Sequence, residues 1–275
     1  MNIDLHCHST ASDGLLRPGA LVARAAANGV DMLALTDHDD LSGLAEARAQ
    51  AGSEGIRFID GVEISATWKE TAVHILGLQI DPENPVLRAG LESVREGRVK
   101  RAKRMGDALA AAGVPDSLAG AKTYAENPNL ISRTHFARHL VKSGRARDVK
   151  SVFQHYLVKG KPGFVQHQWA SLADAVSWIR AGGGIAVIAH PGRYKLSTTE
   201  MRAFLSEFKA CGGAGVEVIT GAHTPEQYSE FARLSREFGL LASRGSDYHG
   251  KGESKADLGD LPQLPDDLKP VWHDW

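Results

Sequence analysis

The sequence predicts an α/β fold in which seven buried strands form a barrel, one unit fewer than the common eight-stranded barrel. Seven short runs rich in Val, Ile and Leu are typical of parallel strands covered on both faces. Helical patterns separate most of them, and such alternation favours right-handed crossovers and a parallel sheet. Residues 83–165 carry helical patterns only, which indicates an insertion. An open doubly wound sheet is the alternative.

The strand candidates cover residues 2–6, 30–36, 56–64, 72–80, 184–190, 215–220 and 239–247. Helices between them are predicted at 18–29, 171–184 and 224–239. Pro18 suits the first turn of a helix, and Ser171 and Thr224 suit N-caps. The insertion should contain a long helix at 83–113 and shorter ones at 131–144 and 148–160.

This pattern divides the chain into two parts. We expect a catalytic barrel built from residues 1–82 and 166–275, interrupted by a helical insertion subdomain at 83–165 that serves as a lid or substrate-binding unit. The proline-rich segment 261–275 should be irregular.

Composition leaves the function open. The formal net charge is −1 at pH 7, so whole-protein charge argues neither for nor against a nucleic-acid ligand. The two cysteines, Cys7 and Cys211, offer no disulfide framework, and no basic-then-apolar leader is visible, which together predict a cytoplasmic protein. No apolar run approaches a membrane span, so no membrane partner is expected.

Histidines and carboxylates cluster at or near the carboxyl ends of the strand candidates. His6 and His8 share one face of the first strand, because side chains alternate along a strand, and Cys7 points away. Parallel barrels carry their active sites at these ends, so the side chains should share a pocket. Burying so many ionisable groups without a cation would be costly. The nine candidate metal ligands are His6, His8, Asp13, His38, Glu63, His74, His190, Asp247 and His249.

Nine ligands exceed the need of one ion. A single site takes about four to six protein ligands, so the set predicts two to three divalent ions with one bridging carboxylate. Mixed imidazole and carboxylate ligation suits Mn, Fe or Zn, and we expect Mn first.

These residues lie in motifs that resemble those of the PHP (polymerase and histidinol phosphatase) family of phosphoesterases. In order between residues 3 and 249, the motifs are DLHCHS, SDG, TDHD, GVE, AHPG and SDYH. The resemblance implies a distorted (β/α)7 barrel, TIM-like, with three metal ions. It also implies the ligands of each ion: His6, His8, Glu63 and Asp247 for the first, bridging Glu63 with His74 and His190 for the second, and Asp13, His38 and His249 for the third.

Three further segments, NPNLISRTHFARHLV, KPGFVQHQWASL and IAHPGRY, resemble one subgroup of that family. Its members are 3′,5′-nucleoside bisphosphate phosphatases and related exoribonucleases that shorten RNA from the 5′ end. The resemblance implies a phosphoesterase that removes the 3′-phosphate of a 3′,5′-bisphosphonucleotide, with short RNA as a related substrate and no DNA partner. The alternatives are a different small phosphomonoesterase, such as one acting on histidinol phosphate, and a non-catalytic metal-binding module. The oligomeric state stays open.

Several residues of these segments could contact the substrate. Arg133 and Arg193 carry forked guanidinium groups that match phosphate oxygens, so we expect a phosphate clamp. His135 could contact phosphate or protonate the leaving oxygen, and His223 on the barrel rim is a second candidate acid. Further substrate-binding candidates are Tyr194 and Lys161.

The run 95–104 contains six basic residues on the long predicted helix. We interpret it as a solvated helix face, with steering of a nucleotide as the alternative. The remaining histidines outside the candidate site, among them His167, are expected to be structural or exposed.

Overall fold

A computed structural model describes all residues from 1 to 275, and seven strands form its central barrel. In spatial order these are β1 (Ile3–Asp4), β2 (Met32–Leu35), β3 (Arg57–Trp68), β4 (Thr71–Leu78), β6 (Ile185–Ile188), β7 (Gly215–Thr220) and β8 (Leu241–Gly245), while β5 (Ala170–Ser171) pairs with β3 off this path. The Leu5 N–H donates to the carbonyl of Arg244 at 3.0 Å, which joins the end of the path to its beginning. The predicted barrel of seven strands is confirmed, and the open sheet is not formed.

Nine α-helices accompany the strands: α1 (Pro18–Ala27), α2 (Leu44–Glu54), α3 (Pro85–Ala111), α4 (Ser117–Lys122), α5 (Arg133–Lys142), α6 (Val149–Val152), α7 (Leu172–Ala181), α8 (Thr198–Ala210) and α9 (Pro225–Phe238). A single π-helical turn, Phe153–Leu157, continues α6, and a 3-10 turn covers Pro191–Arg193. The predicted N-caps are present: Ser171 and Thr224 each accept a backbone N–H three residues on. The long helix begins with Asn84, whose side chain accepts two backbone N–H groups.

One strand departs from the parallel arrangement that the sequence predicts. β4 runs antiparallel to β3 and to β6, because β3 and β4 are joined by a tight turn with Lys69 at a positive φ of 53° rather than by a crossover helix. The start of β4 therefore lies at the rim where neighbouring strands end. This places His74, the fourth residue of β4, beside Ser65 in the register and at the same rim as the other candidate ligands.

The opposite end of the barrel is closed by apolar side chains and by the chain terminus. Leu5, Met32, Leu76 and Val187 belong to one buried cluster. Val271 from the terminal segment completes it and is fully buried. This segment has no helix or strand, as predicted. No helix is both long enough and apolar enough to pass through a bilayer.

The helices between β4 and β5 carry a small core of their own. It includes Met105 and Leu109 of α3 and Phe136 of α5. The first turns of α3 instead pack into the main core through Leu87 and Leu91. The helix α3 thus spans both cores, and the division into a barrel and an insertion at 83–165 stays a prediction.

Candidate metal centre and substrate cavity

All nine candidate ligands lie together at one rim of the barrel. The groups whose ligand atoms approach within 4.8 Å of one another are His8, Asp13, His38 and His249; His6, His190 and Asp247; His6, His8 and Glu63; and His38, Glu63 and His74. The grouping overlaps with the three sets of ligands expected from the sequence but does not reproduce them, since His8 also joins Asp13 and His38 also joins Glu63. The division of ligands among individual ions therefore stays a prediction.

Glu63 lies at the centre of this cluster and is fully buried. Its Oε1 is 2.8 Å from His74 Nδ1 and 2.9 Å from His190 Nε2. Its other oxygen, Oε2, lies 2.9 Å from His38 Nδ1 and 3.2 Å from His8 Nε2. One carboxylate in contact with imidazoles on both oxygens has the placement that a bridging ligand needs.

The cluster has polar atoms that protein groups do not satisfy, which is what a cation site requires. Six buried atoms in it lack a hydrogen-bond partner: His8 Nδ1, Asp13 Oδ1, His38 Nδ1, Glu63 Oε2, His190 Nδ1 and Asp247 Oδ1. Buried polar groups are normally paired, and leaving several unpaired in one place is costly. Imidazole nitrogens and carboxylate oxygens are good ligands for transition-metal divalent ions. The donor set therefore fits divalent metal ions.

The pKa shifts of the histidines in the cluster reflect their burial and the nearby carboxylates. Burial lowers the pKa of His38 to about 4 and of His190 to about 3, so both rings are neutral near pH 7, as metal ligands must be. Burial also opposes protonation of His8, but the nearby carboxylates of Asp247 and Glu63 outweigh it and raise its pKa to about 9. The carboxylates thus attract positive charge to a place that a metal ion would occupy.

A buried carboxylate that sequence reasoning missed, Glu217 on β7, holds two of the ligands in position. Its Oε1 accepts a hydrogen bond from His6 Nδ1 at 2.9 Å, so a neutral His6 presents Nε2 to the cluster. Its Oε2 accepts the backbone N–H of His190 at 2.6 Å, where φ is 28° and the backbone is strained. A carboxylate in the apolar run GVEVIT was the available signal.

A cavity of about 730 Å³ lies over the cluster and reaches under the helices between β4 and β5. Its wall includes Arg98 and Arg101 of α3 and Arg133 at the start of α5. Arg98 and Arg101 both face the Trp169 ring, at 5.0 and 5.4 Å from its centroid. The basic run 95–104 is therefore not only a solvated face, because two of its arginines are buried and turned toward the cavity. His167, expected to be structural or exposed, also lines it.

Two arginines of the cavity wall, Arg101 and Arg133, form no ion pair with a carboxylate. Burial, and then the neighbouring Arg133, Arg98 and Arg104, hold the pKa of Arg101 well below its usual range. Burial, Arg193 and Arg98 lower the pKa of Arg133 to about 10. Cations that depress one another's pKa in this way favour an anionic ligand. Arg193 differs, since its Nη1 donates to Asp247 Oδ2 at 2.9 Å.

The other predicted substrate contacts have more varied surroundings. The His135 Nδ1 accepts the backbone N–H of Ser132 in the capping box of α5, which leaves only Nε2 for a substrate. Burial lowers the pKa of His135 to about 4. The hydroxyl of Tyr194, which lines the cavity, donates to the Ala189 carbonyl and accepts the His74 N–H. Lys161 is exposed and lies outside the cavity wall, which Lys159 joins instead.

His223 is committed to the backbone through both ring nitrogens. Its Nδ1 donates to the Val218 carbonyl at 3.1 Å, and its Nε2 accepts the Gly192 N–H at 3.0 Å. These bonds fix the turn that carries Arg193. The arrangement favours a positioning role for His223 over proton transfer.

Known proteins share this sequence and this fold over nearly their whole length. The chain is 52% identical over 273 residues to a 3′,5′-nucleoside bisphosphate phosphatase of Chromobacterium violaceum, covering 99% of this chain and 96% of the relative. It is 44% identical over 269 residues to a 5′-3′ exoribonuclease of Haemophilus influenzae, covering 98% of this chain and 97% of that protein.

Two solved structures extend the comparison. An amidohydrolase from Chromobacterium violaceum, with bound sulfate and no metal, is 51% identical with a TM-score of 0.97, covering 100% of this chain and 95% of that chain. A protein from Bifidobacterium adolescentis that is inferred to be a metal-dependent phosphoesterase is 28% identical with a TM-score of 0.84, covering 98% of this chain and 93% of that one. The model of the PHP domain matches residues 4–160. With the clustered ligands and the barrel, these likenesses establish that the chain belongs to the PHP family.

Proposed function

We propose that the protein is a metal-dependent phosphoesterase that removes the 3′-phosphate of a 3′,5′-bisphosphonucleotide. One observation carries the proposal: two arginines without acidic partners, the buried Arg101 and the half-buried Arg133, line the same cavity as the cluster of candidate metal ligands. A substrate with two phosphates matches this arrangement, because one phosphate can lie at the metal ligands while the other lies near Arg101. The relative that acts as a 3′,5′-nucleoside bisphosphate phosphatase supports this choice.

The reaction consumes one water. Water attacks the 3′-phosphorus, the bond between phosphorus and the ribose oxygen breaks, and the products are a nucleoside 5′-phosphate and inorganic phosphate. Two to three divalent ions, Mn first and Fe or Zn as alternatives, would supply Lewis acidity at the phosphoryl group and lower the pKa of water. His6, His8, Glu63 and Asp247, together with the rest of the cluster, would hold them.

The protein's own side chains neutralise and orient the phosphoryl group. Arg133 can donate to its free oxygens, since its guanidinium forms no pair with a carboxylate and lies only over the Phe153 ring at 5.5 Å. Arg193 can share its fork between the phosphoryl group and Asp247. Such fixed charges stabilise a transition state more than they do the substrate when charge shifts during the reaction. We keep His135 as the candidate that contacts the leaving oxygen, through Nε2.

A second activity, stepwise removal of nucleotides from the 5′ end of short RNA, has its own support. The cavity continues past His74 to the β3–β4 turn, at Lys69 and Thr71, and to Lys195 and Leu196. This extension offers space for a nucleotide esterified to the reacting phosphate. The free thiols of the two cysteines fit a reducing compartment, and we propose a cytoplasmic location.

Product analysis tests the proposal. The metal-loaded protein is incubated with adenosine 3′,5′-bisphosphate, and the nucleotides are separated by chromatography. We expect adenosine 5′-phosphate and inorganic phosphate in equal amounts. Adenosine 3′-phosphate as the product would contradict the assigned orientation. A 5′-phosphorylated short RNA in a parallel reaction tests the second activity, which should release mononucleotides from the 5′ end.

A further inference from the structure

Two separate sets of contacts hold the candidate metal ligands, and one of them comes from the helical insertion. We call His8, Asp13, His38 and His249 the Asp13 group, because their ligand atoms lie within 4.8 Å of one another. We propose that Arg138 and Arg98 of the insertion are positioning residues that preorganise the Asp13 group and thereby set its affinity for a metal ion. The inference rests on the proposed metal centre and adds that the insertion completes one of its sites.

Arg138 on α5 joins the two loops that carry Asp13 and His249. Its Nη2 donates to the backbone carbonyl of Asp13 at 2.6 Å. Its Nε and Nη2 also make a forked contact with Glu253, at 2.9 and 2.8 Å. Glu253 lies in the turn after His249, and Ser254 in the same turn accepts the His249 N–H at 2.6 Å. With its side chain only 7% exposed, Arg138 is a buried clamp across both loops.

Arg98 on α3 acts in the same way on the loop that carries His38. Its Nε donates to Asp39 Oδ2 at 2.6 Å, and its Nη2 donates to Ser65 Oγ at 2.8 Å. Asp39 follows His38 directly and has a positive φ of 52°, a conformation that costs free energy unless neighbouring contacts maintain it. The Asp39 N–H also donates to the carbonyl of Glu63 at 2.9 Å. Arg98 therefore fixes the backbone from which His38 projects.

The remaining ligands depend on the barrel instead. Glu217 of β7 holds both His6 and the backbone of His190, and the Asp247 N–H donates to the carbonyl of His6 at 2.8 Å. None of these bonds involves the insertion. A change in the docking of the insertion should therefore weaken one ion selectively, because groups that orient ligands typically contribute about 10- to 100-fold to metal affinity.

The test compares Mn²⁺ binding to full-length variants. Equilibrium dialysis with elemental analysis gives the number of ions bound against free Mn²⁺ for Arg138→Lys and Glu253→Gln, both of which remove the forked contact with little change in volume. Arg147→Lys is the matched control on the insertion, because its side chain is 86% exposed. We expect one ion of each test variant to bind about 10- to 100-fold more weakly, with the other ions and the control unchanged.

A double-variant cycle identifies the affected ion. Asp13→Asn should weaken the same ion directly, so adding Arg138→Lys to it should cause little further loss. Glu217→Gln should instead weaken the ions that His6 and His190 bind. Equal weakening of all ions in Arg138→Lys and Glu253→Gln would overturn the inference, as would unchanged binding in both. Wild-type protein that binds no Mn²⁺ would overturn the proposed metal centre itself. If the wild type binds Mn²⁺ and the variants bind it with the same affinity, only the role of the insertion is refuted.

Discussion

Replacement of Arg133 by alanine removes one half-buried cation from the cavity, and its effect can be estimated from the surroundings of that side chain. Burial, then Arg193 and Arg98, lower its pKa from the ordinary value of an arginine to about 10, which corresponds to about 3 kcal/mol of unfavourable environment for the charged form. A bound phosphate would relieve much of this cost. The lost contact to the reacting phosphoryl group should therefore cost about 2–4 kcal/mol, or roughly 30- to 1000-fold in kcat/KM.

The assay measures phosphate release from adenosine 3′,5′-bisphosphate together with metal content. Arg133→Ala should keep its full complement of metal, since Arg133 contacts no candidate ligand. Arg133→Lys should recover only part of the activity, because an ammonium group cannot make the forked contact. Arg147→Ala serves as the control, because its exposed side chain also lies between β4 and β5. Wild-type kcat/KM in metal-loaded Arg133→Ala would refute the reasoning and would show that Arg133 does not reach the reacting phosphate.

Three further predictions concern the centre, the cavity and a buried histidine. Glu63→Gln should lose more than one ion per chain by elemental analysis, because both of its oxygens contact imidazoles; wild-type metal content would show that it does not bridge. Arg101→Gln should raise KM for the bisphosphate at least about 10-fold, while KM for a substrate with a single phosphate should change little. Equal effects on the two KM values would contradict this role of Arg101. Metal-free wild type should lose stability as the pH falls from about 6.5 to about 4, because His135 takes up a proton in the unfolded chain but resists it in the folded protein, where its pKa is about 4. In chemical denaturation, the free energy of unfolding of His135→Gln should fall by up to about 3 kcal/mol less than that of the wild type over this pH range. An identical fall in both proteins would contradict the assignment.

The sequence was sufficient to predict the barrel and the cluster because both depend on local patterns. Apolar runs with a histidine or carboxylate at or near one end, such as His190 after GIAVIA, predict buried strands that carry metal ligands at the rim of the barrel. The direction of β4 could not be predicted in this way, since an apolar run has no preferred direction. The tight turn at Lys69, which decides it, contains no glycine that would have marked a hairpin.

Residues that act through long-range contacts were the ones that sequence reasoning missed or assigned differently. Glu217 supports His6 from a position 211 residues away, so no spacing rule connects them. Arg98 lies in a run of basic residues that resembles a solvated face, and only the docking of α3 against the barrel buries it. His223 was a candidate acid on the basis of its place at the rim, but the partners of both its nitrogens are backbone groups. Tertiary packing decides such roles, and it cannot be predicted from the local patterns of a single sequence.

The central claim is that the buried cluster around Glu63 binds divalent ions and that these ions are needed for hydrolysis of a 3′-phosphate. The most direct measurement titrates chelator-treated protein with Mn²⁺ while recording both the ions bound per chain and the rate of phosphate release from adenosine 3′,5′-bisphosphate. We expect no measurable release from the metal-free protein, and release that rises as two to three ions bind. Full turnover by metal-free protein, or bound metal that leaves the bisphosphate intact, would contradict the claim.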